Sequence, residues 1–473
     1  MKLHIENVAK IKKADIDVEG ITVIAGSNNT GKSTVGKALF AMFESFYSLE
    51  KFVEDWKPND AKKILKKHGD NLDFICKRLA NVKRRKTSLA ENVQRTYMRP
   101  LAKCENEDEI RQIMSSYCIE HLSLYGVEGK SKDSEVVLWL EDAIEDMNKN
   151  LLNYNSTYAE KIGVRNIFED VFGKQMTKRT NKNSDIQSEK QKKACVQIDV
   201  HNHGEIKSNS VIMANDDVKG VHQEFSVNTR ALYIKTPETL DRLAGLEIYS
   251  SRKEQQKKIE EELTPYADRN EFNFFIEPYY NFAYQWRKGK NINSDVDESN
   301  VEMQKMDNII EEIDRQLLQL MDGTVAFGKD SVLMFQDNQY VEPFRLENLS
   351  TGLKAVSLLQ CVLHYRVLKK KSVLILDEPE INLHPEWQVA YARYIVMLQK
   401  SLDLHVVITT HSPFFLKAIE KASEESGIWE KCHYYYAHNE KGDAVIECVD
   451  DSMEDVYSRM MMPLIDMMSD MEF

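Results

Sequence analysis

The chain has 473 residues, more than the roughly 250–300 at which a single hydrophobic core stops growing, so we expect at least two structural units. Its composition is 42% hydrophobic and 29% charged, and no apolar run approaches the ~18 residues of a membrane-spanning helix. The net charge of −13 argues against attraction of the whole surface to nucleic acid. The 7 cysteines form no C-x-x-C pair and no secretory signal opens the chain, so we expect reduced thiols, a cytoplasmic location and no membrane contact.

The first chemical motif follows an apolar strand. Three short strands are predicted at Leu3–Val8, Ala14–Val18 and Ile21–Ala25. The next residues fit the phosphate-loop pattern G-x-x-x-x-G-K-[ST] and run into a predicted helix: Gly26, Ser27, Asn28, Asn29, Thr30, Gly31, Lys32, Ser33 and Thr34. A strand before the loop and a helix after it are the context that this motif requires, so we interpret these residues as an ATP-binding loop.

Each residue type in this loop has a physical role. Gly26 and Gly31 let the backbone wrap a polyphosphate, so that N–H groups and the helix N-terminus face its oxygens. Lys32 adds a positive charge for the β- and γ-phosphates, and the Ser33 hydroxyl is suited to bind Mg²⁺.

Two helical regions interrupt the predicted strands. Residues 47–190 are interpreted as a helical insertion that ends in a polar linker, and residues 246–321 as a second helical insertion. Between Lys57 and Lys103 there are 14 Lys or Arg against 4 Asp or Glu, which indicates either a docking surface or a solvated helix face. Strands resume at Cys195–Val200, Ser210–Met213 and Ala231–Ile234, and a hairpin is predicted from Gly323–Phe327 and Ser331–Phe335.

Three further motifs follow the second insertion. Leu349–Leu353 precedes a predicted helix over Lys354–Lys370, so Ser350 is suited to cap a helix N-terminus that could bind phosphate. An apolar strand then ends in Asp377 and Glu378, which we interpret as a Mg²⁺ ligand and the base that activates water. A second apolar strand, His405–Thr410, leads to His411 at its carboxyl end, where it could contact the γ-phosphate.

This ordered set of motifs resembles the ABC-type ATPase heads of the SMC, RecF-like and OLD-type families. The resemblance implies an α/β fold, a P-loop ATPase head with a mixed sheet and flanking helices, made of residues 1–46, 191–245 and 322–473. It also implies ATP and Mg²⁺ as cofactors, with Lys32, Glu378 and His411 as catalytic residues and Ser33 and Asp377 at the metal. In those families the Leu-Ser-x-Gly element acts on the nucleotide of another copy, which implies that Ser350 and Gly352 act in trans in a homodimer or higher homo-oligomer.

Some features of the resembled families have no clear counterpart. Gln197 is a weak candidate for their glutamine loop, and the 62 residues after His411 are too few for the toprim nuclease domain of many OLD-type proteins. The layout resembles the ATPase subunits of antiphage systems of the Septu and PARIS kinds, which implies a separate effector protein, either a nuclease or a toxin. The alternatives are a RecF-like ATPase that binds DNA through the basic stretch, and the motor subunit of a membrane transporter.

Overall fold

We describe the protein from a computed structural model. The residues that the structure describes are 1–81, 87–152, 156–173, 176–178, 193–202, 204–235, 308–313, 315, 323–327, 333–345, 348–364 and 368–469. The chain divides into two compact units, one made of Met1–Tyr47 with Arg165–Phe473 and the other of Ser48–Val164. The predicted insertion over residues 47–190 extends beyond the second unit, and most of the predicted insertion over residues 246–321 lies outside the described residues.

The first unit is built around a large mixed β-sheet, which confirms the predicted α/β class. Its strands are β1 (Lys2–Val8), β2 (Ile11–Asp17), β3 (Ile21–Gly26), β4 (Ala194–Asn202), β5 (Glu205–Ala214), β6 (Asp217–Gln223), β7 (Ala231–Ile234), β11 (Val373–Asp377), β12 (His405–Thr410), β13 (Cys432–Glu440) and β14 (Asp443–Cys448). Among the described residues their spatial order is β6-β5-β4-β1-β2-β14-β13-β3-β12-β11-β7. A separate sheet has the order β10-β9-β8, formed by β8 (Gly323–Phe327), β9 (Leu333–Asp337) and β10 (Phe344–Arg345), and its β8–β9 pairing confirms the predicted hairpin.

Five neighbouring strands of the large sheet are parallel: β7, β11, β12, β3 and β13. Strands β3 and β11 are buried along their whole length, which is what their unbroken apolar sequences predict for strands covered on both faces. Because β12 lies between β3 and β11, the carboxyl ends of these three strands meet at one edge of the sheet. That edge carries the phosphate loop, the paired carboxylates and His411.

Helices flank this edge. The first unit contains the start of α1 (Lys32–Ala80), the C-terminal part of α5 (Ser156–Phe172), and α6 (Thr351–His364), α7 (Pro385–Leu402), α8 (Pro413–Ser426) and α9 (Met453–Ser469). The phosphate-loop helix α1 continues without a break for 49 residues, past residue 47, where the sequence analysis places the start of a helical insertion. Its early apolar side chains at Leu39, Met42, Phe43 and Phe46 are buried at helical spacing, so no breaking signal interrupts it there.

The second unit is helical. It contains the C-terminal part of α1, α2 (Thr87–Ala102), α3 (Glu107–Ser123), α4 (Ser134–Met147), a π-helical turn at Asn148–Leu152 and the N-terminal part of α5. Its core includes the buried side chains of Leu65, Met114 and Trp139. Among the helices that the structure describes in either unit, none is long and apolar enough to cross a membrane.

Helix α6 is shorter than the sequence suggests. The predicted helix runs from Lys354 to Lys370, whereas α6 covers Thr351–His364 and residues 368–370 are not helical. The backbone N–H of Lys369 donates to the Ser372 hydroxyl at 3.0 Å, and Lys371 has a left-handed φ of 63°. This turn directs the chain into β11, so the sequence pattern of helix formers overestimates the helix at its C-terminal end.

Candidate functional site

The phosphate loop requires glycine for reasons that the structure makes explicit. Gly26 ends β3 with φ 148°, and a Cβ there would lie 2.1 Å from the Ala437 carbonyl oxygen on the neighbouring strand β13. Gly31 has φ 84°, and a Cβ there would lie 3.1 Å from the Cβ of Ala444. Both backbone conformations are ones that other residues rarely adopt. The loop therefore keeps its shape because β13 and β14 pack directly against it.

Lys32 crosses the loop from its first helical turn. Its Nζ donates to the carbonyl oxygens of Gly26 at 2.9 Å and Ser27 at 2.7 Å, and lies 3.8 Å from Oε1 of Glu378. The side chain is buried, and burial lowers the pKa of Lys32, while the nearby carboxylate of Glu378 opposes the shift. The ammonium thus lies between the loop and the carboxylates that follow β11.

Asp377 joins the neighbouring strands at the carboxyl edge of the sheet. One of its carboxylate oxygens accepts hydrogen bonds from the hydroxyls of Ser33, at 2.9 Å, and Thr409. The other accepts from the Tyr233 hydroxyl at 2.6 Å. The residue is only 5% exposed, so these bonds replace the water that its charge loses on burial.

The approach of α1 to the sheet brings Ser33 to this carboxylate. Gly36 lies one turn further along α1, and a Cβ there would meet Cγ2 of Ile375 at 2.9 Å and the Tyr233 ring at 3.1 Å. Any larger residue would push the helix away from β11 and β7. A glycine inside a helix reduces the stability of the helix by about 1 kcal/mol relative to alanine. Close packing of α1 against the sheet explains why a glycine nevertheless occupies this position.

Glu378 occupies a strained position directly after β11. Its φ of 52° is a left-handed conformation that bulky residues avoid, and such outliers cluster at functional sites. Its backbone N–H donates to the carbonyl oxygen of Thr409 at 3.0 Å and to the Thr409 hydroxyl at 3.1 Å. These bonds hold the turn on β12, and they direct the backbone so that Glu378 lies near Lys32.

His411 follows β12 and lies at the same edge. Its Nδ1 is 3.6 Å from Oε1 of Glu378 and 3.7 Å from Oε1 of Glu380, and 41% of its side chain is exposed. The structure therefore brings together Lys32, Ser33, Asp377, Glu378 and His411, which the sequence analysis selected from three separate segments. An exposed imidazole beside two carboxylates can meet a ligand from solvent.

Glu380 is a site residue that sequence reasoning missed. Its carboxylate accepts from the Thr410 hydroxyl at 2.5 Å and from the backbone N–H of His411 at 3.2 Å. Burial raises the pKa of Glu380, while the hydrogen bond from Thr410 opposes the shift. The sequence did not predict this role for Glu380, because an acidic residue in a turn, three residues after Asp377, is usually exposed to solvent.

Ser350 and Gly352 lie at the start of α6. The Ser350 hydroxyl accepts from the backbone N–H of Leu353 at 3.4 Å, which is an N-cap arrangement, and Ser350 is exposed. A Cβ at Gly352 would lie 2.7 Å from the ring of Trp387, in the first turn of α7. Gly352 therefore has a packing reason within its own chain. Among the described residues, Ser350 therefore contacts α6 and Gly352 contacts α7. Neither of these two contacts reaches the phosphate loop.

Gln197 lies away from this edge. It is on β4, and four strands separate β4 from β3 in the sheet. Its side-chain amide donates to Oδ1 of Asp199 at 2.7 Å, in a polar group beside Ser208. Gln197 therefore does not lie at the edge that carries the phosphate loop. The residue order along the chain did not reveal that β4 and β5 join the far side of the sheet, whereas β7 returns beside β11.

The residues present fit a nucleotide and Mg²⁺. The phosphate loop has no room for a Cβ at Gly26 without displacing its neighbours. Its backbone N–H groups and the N-terminus of α1 can bind phosphate oxygens. The Ser33 hydroxyl and the Asp377 carboxylate lie 2.9 Å apart, and oxygen ligands of this kind suit Mg²⁺ when phosphates supply the rest. Within the described residues, no group of three or more His, Cys, Asp or Glu side chains is arranged to hold a metal ion by itself.

Comparison with known proteins identifies related sequences and folds. A family model described as "AAA ATPase domain" matches residues 1–416. Protein ea59 of Escherichia phage lambda is 30% identical over 133 residues, which cover 28% of this chain and 24% of that protein, so the chain spans about a quarter of its relative. Two solved structures are similar at low levels. One is an SMC head domain from Thermotoga maritima, with 11% identity and a TM-score of 0.40 over 95% of this chain and 98% of that chain. The other is an Smc head domain with an extended coiled coil bound to the C-terminal domain of ScpA, derived from Pyrococcus furiosus, with 13% identity and a TM-score of 0.42 over 96% of this chain and 98% of that chain.

Replacement of Gly26 by alanine tests the shape of the loop. We expect Gly26→Ala to weaken ATP binding at least tenfold, because the new Cβ overlaps the Ala437 carbonyl oxygen and strains the backbone by about 1–3 kcal/mol. Titration with a fluorescent ATP analogue measures the affinity. Gly129→Ala is the control, because a Cβ there meets nothing within 4 Å. Affinities that are equal in the two folded variants would contradict this account of the loop.

Proposed function

The chain belongs to the AAA ATPase domain family, and we propose that it is an ATP-binding and ATP-hydrolysing switch whose nucleotide site is completed by a second copy. The observation that carries this proposal is the convergence of Lys32, Ser33, Asp377, Glu378 and His411 at one edge of the sheet. Their charges and hydroxyls are those that a nucleoside triphosphate with Mg²⁺ needs.

In this proposal the loop binds the triphosphate. Backbone N–H groups of Gly26–Thr34 and the N-terminus of α1 face the phosphate oxygens, and Lys32 exchanges its bonds to loop carbonyls for bonds to the β- and γ-phosphates. Ser33 and Asp377 would hold Mg²⁺, which would supply charge neutralisation for the phosphate oxygens.

Hydrolysis then uses Glu378 and His411. Glu378 accepts a proton from a water molecule whose oxygen forms a bond to the γ-phosphorus, and the bond from that phosphorus to the β–γ bridging oxygen breaks to leave ADP and phosphate. His411 contacts the γ-phosphate from the end of β12. Its exposed side chain and its distance of 3.6 Å from Glu378 support this role.

The second copy contributes Ser350 and Gly352. Ser350 is exposed at the N-terminus of α6, where the helix dipole favours an anion. Within its own chain Ser350 contacts the start of α6, which leaves this end of the helix available to the γ-phosphate of another copy. The resulting assembly would be a homodimer or a larger homo-oligomer that closes with ATP and opens after hydrolysis.

The switch is proposed to control a separate effector, a nuclease or a toxin, in antiphage defence. The support for this role is the resemblance of the motif order to the ATPase subunits of Septu- and PARIS-like systems. The helical unit of Ser48–Val164 is the proposed surface that senses or holds such a partner. Copurification of the effector from the native host would add direct support.

Assembly on ATP provides the test of this switch. We expect Glu378→Gln to bind ATP, to lose hydrolysis by at least 100-fold and to accumulate in a closed assembly, because only the group that activates water has changed. Mass measurement in solution, with and without ATP and Mg²⁺, detects the assembly. A second substitution, Ser350→Arg, should prevent the increase in mass while leaving the affinity of the monomer for ATP within about twofold.

Two controls separate binding from assembly. Lys32→Ala should bind no ATP and should show no ATP-dependent change in mass, because the loop loses its only lysine. Rapid turnover by Glu378→Gln would refute its role as the base. Assembly that persists in the Glu378→Gln, Ser350→Arg double variant would refute the action of Ser350 in trans.

A second candidate function is DNA binding, as in RecF-like ATPases. Lys62, Lys63 and Lys66 are exposed together on α1 in the helical unit, within the basic stretch found in the sequence. Part of that stretch, residues 82–86, lies outside the described residues. Three neighbouring cations on one helix can contact successive phosphates of a nucleic acid backbone.

The salt dependence of DNA affinity distinguishes this candidate. If the three lysines bind phosphates, their replacement by glutamine should reduce the slope of log affinity against log salt by roughly 1 for each lysine. Fluorescence anisotropy with a labelled duplex measures the slope. The control replaces three exposed lysines elsewhere, Lys13, Lys421 and Lys431, with glutamine. Equal slopes in the two variants, or no binding by the wild type, would exclude DNA contact by this face.

A further inference from the structure

A buried carboxylate lies between the catalytic turn and the segment that carries His411. Glu380 is three residues beyond Asp377, and its side chain is only 2% exposed. One oxygen, Oε1, accepts both the Thr410 hydroxyl and the backbone N–H of His411. The other, Oε2, is buried and has no hydrogen-bond partner among the residues that the structure describes.

Burial of the Glu380 carboxylate costs free energy, and a residue that served only to fill space would not need this charged group. An ionised carboxylate loses its hydration on burial, and a buried oxygen without a hydrogen-bond partner adds a further free-energy cost. A residue of the same shape without charge, such as glutamine, could accept the same two hydrogen bonds. Two nitrogen groups lie near this carboxylate: the Lys32 ammonium interacts with it, and Nδ1 of His411 lies 3.7 Å from Oε1.

A second contact fixes the same segment from the other side. The Ser412 hydroxyl donates to Oε1 of Gln388 at 3.2 Å, and the amide of Gln388 donates to the Leu383 carbonyl oxygen at 3.1 Å. Residues 410–412 are thus held at one end by Glu380 and at the other by Gln388. Both anchors belong to the stretch of chain that begins at the catalytic carboxylates.

We propose that Glu380 is a positioning residue for ATP hydrolysis, which holds His411 by its backbone and its ring so that the imidazole lies beside Glu378. The proposal rests on the proposed function, because it assigns Glu380 an effect only through His411. Glu380 touches neither the phosphates nor the attacking water in this account. Its loss therefore changes the rate of the chemical step and leaves nucleotide binding intact.

The variants Glu380→Gln and Glu380→Ala test this role in the full-length chain. We expect both to bind ATP with an affinity within about twofold of the wild type, since the phosphate loop is unchanged. We expect single-turnover hydrolysis to slow on the order of 10-fold in Glu380→Gln and 100-fold in Glu380→Ala, as misplacement of a catalytic group does. Glu386→Gln is the matched control, because Glu386 lies in the same segment with an 89% exposed side chain.

A double-mutant cycle separates positioning from a general structural role. In a His411→Ala background, Glu380→Gln should slow hydrolysis no further, because the group on which it acts is missing. An equal, additive loss in that background, or a wild-type rate in Glu380→Gln alone, would overturn the proposal. If Glu380→Ala does not fold, the isosteric Glu380→Gln still completes the cycle.

The same experiments distinguish this inference from the proposed function. If the wild type releases no phosphate from ATP, the proposed function fails and the cycle has no catalytic step to report. If Glu378→Gln is inactive while the effects of Glu380 and His411 simply add, only the positioning role of Glu380 fails.

Discussion

One buried carboxylate holds the site together. Asp377 accepts hydroxyl hydrogen bonds from Ser33 at the start of α1, from Thr409 on β12 and from Tyr233 on β7, so it joins the strand that carries it to three other segments. A buried charge without such partners would cost several kcal/mol. The same oxygens are the ones that a metal ion with a bound triphosphate would use. These bonds connect the start of α1, the end of β12 and the end of β7 to the strand that leads into Glu378.

The sequence predicted the parts of this site that lie at strand ends. Lys32, Asp377 and His411 could be placed together because the carboxyl ends of parallel strands meet at one edge, and the three strands are recognisable from apolar sequence alone. Tyr233 and Thr409 could not be predicted, because a hydroxyl inside an apolar strand gives no sign of the partner it faces. The length of α1 was also missed, since the phosphate-loop helix and the helical region after it form one helix.

The first turn of α7 contacts two functional segments at once. The ring of Trp387 packs against Gly352 of the motif proposed to act in trans, and the next residue, Gln388, binds Ser412 beside His411. Sequence analysis explained Gly352 only by the approach of a nucleotide from another copy. The structure adds a packing requirement within the chain, so loss of function on substitution of Gly352 would not by itself demonstrate dimerisation. Substitution of the exposed Ser350 is the cleaner probe, because within the described part of the chain its side chain makes the capping contact with Leu353 and no other hydrogen bond.

The most direct test of the account is phosphate release from ATP, measured against Mg²⁺ concentration for the wild type and for Asp377→Asn. Asparagine keeps the size of the side chain and removes the charge that is proposed to hold the metal. We expect saturable, Mg²⁺-dependent release by the wild type, and a requirement for at least tenfold more Mg²⁺ in the variant, which corresponds to about 1.4 kcal/mol. The absence of phosphate release by the wild type, or identical Mg²⁺ curves for the two proteins, would contradict it.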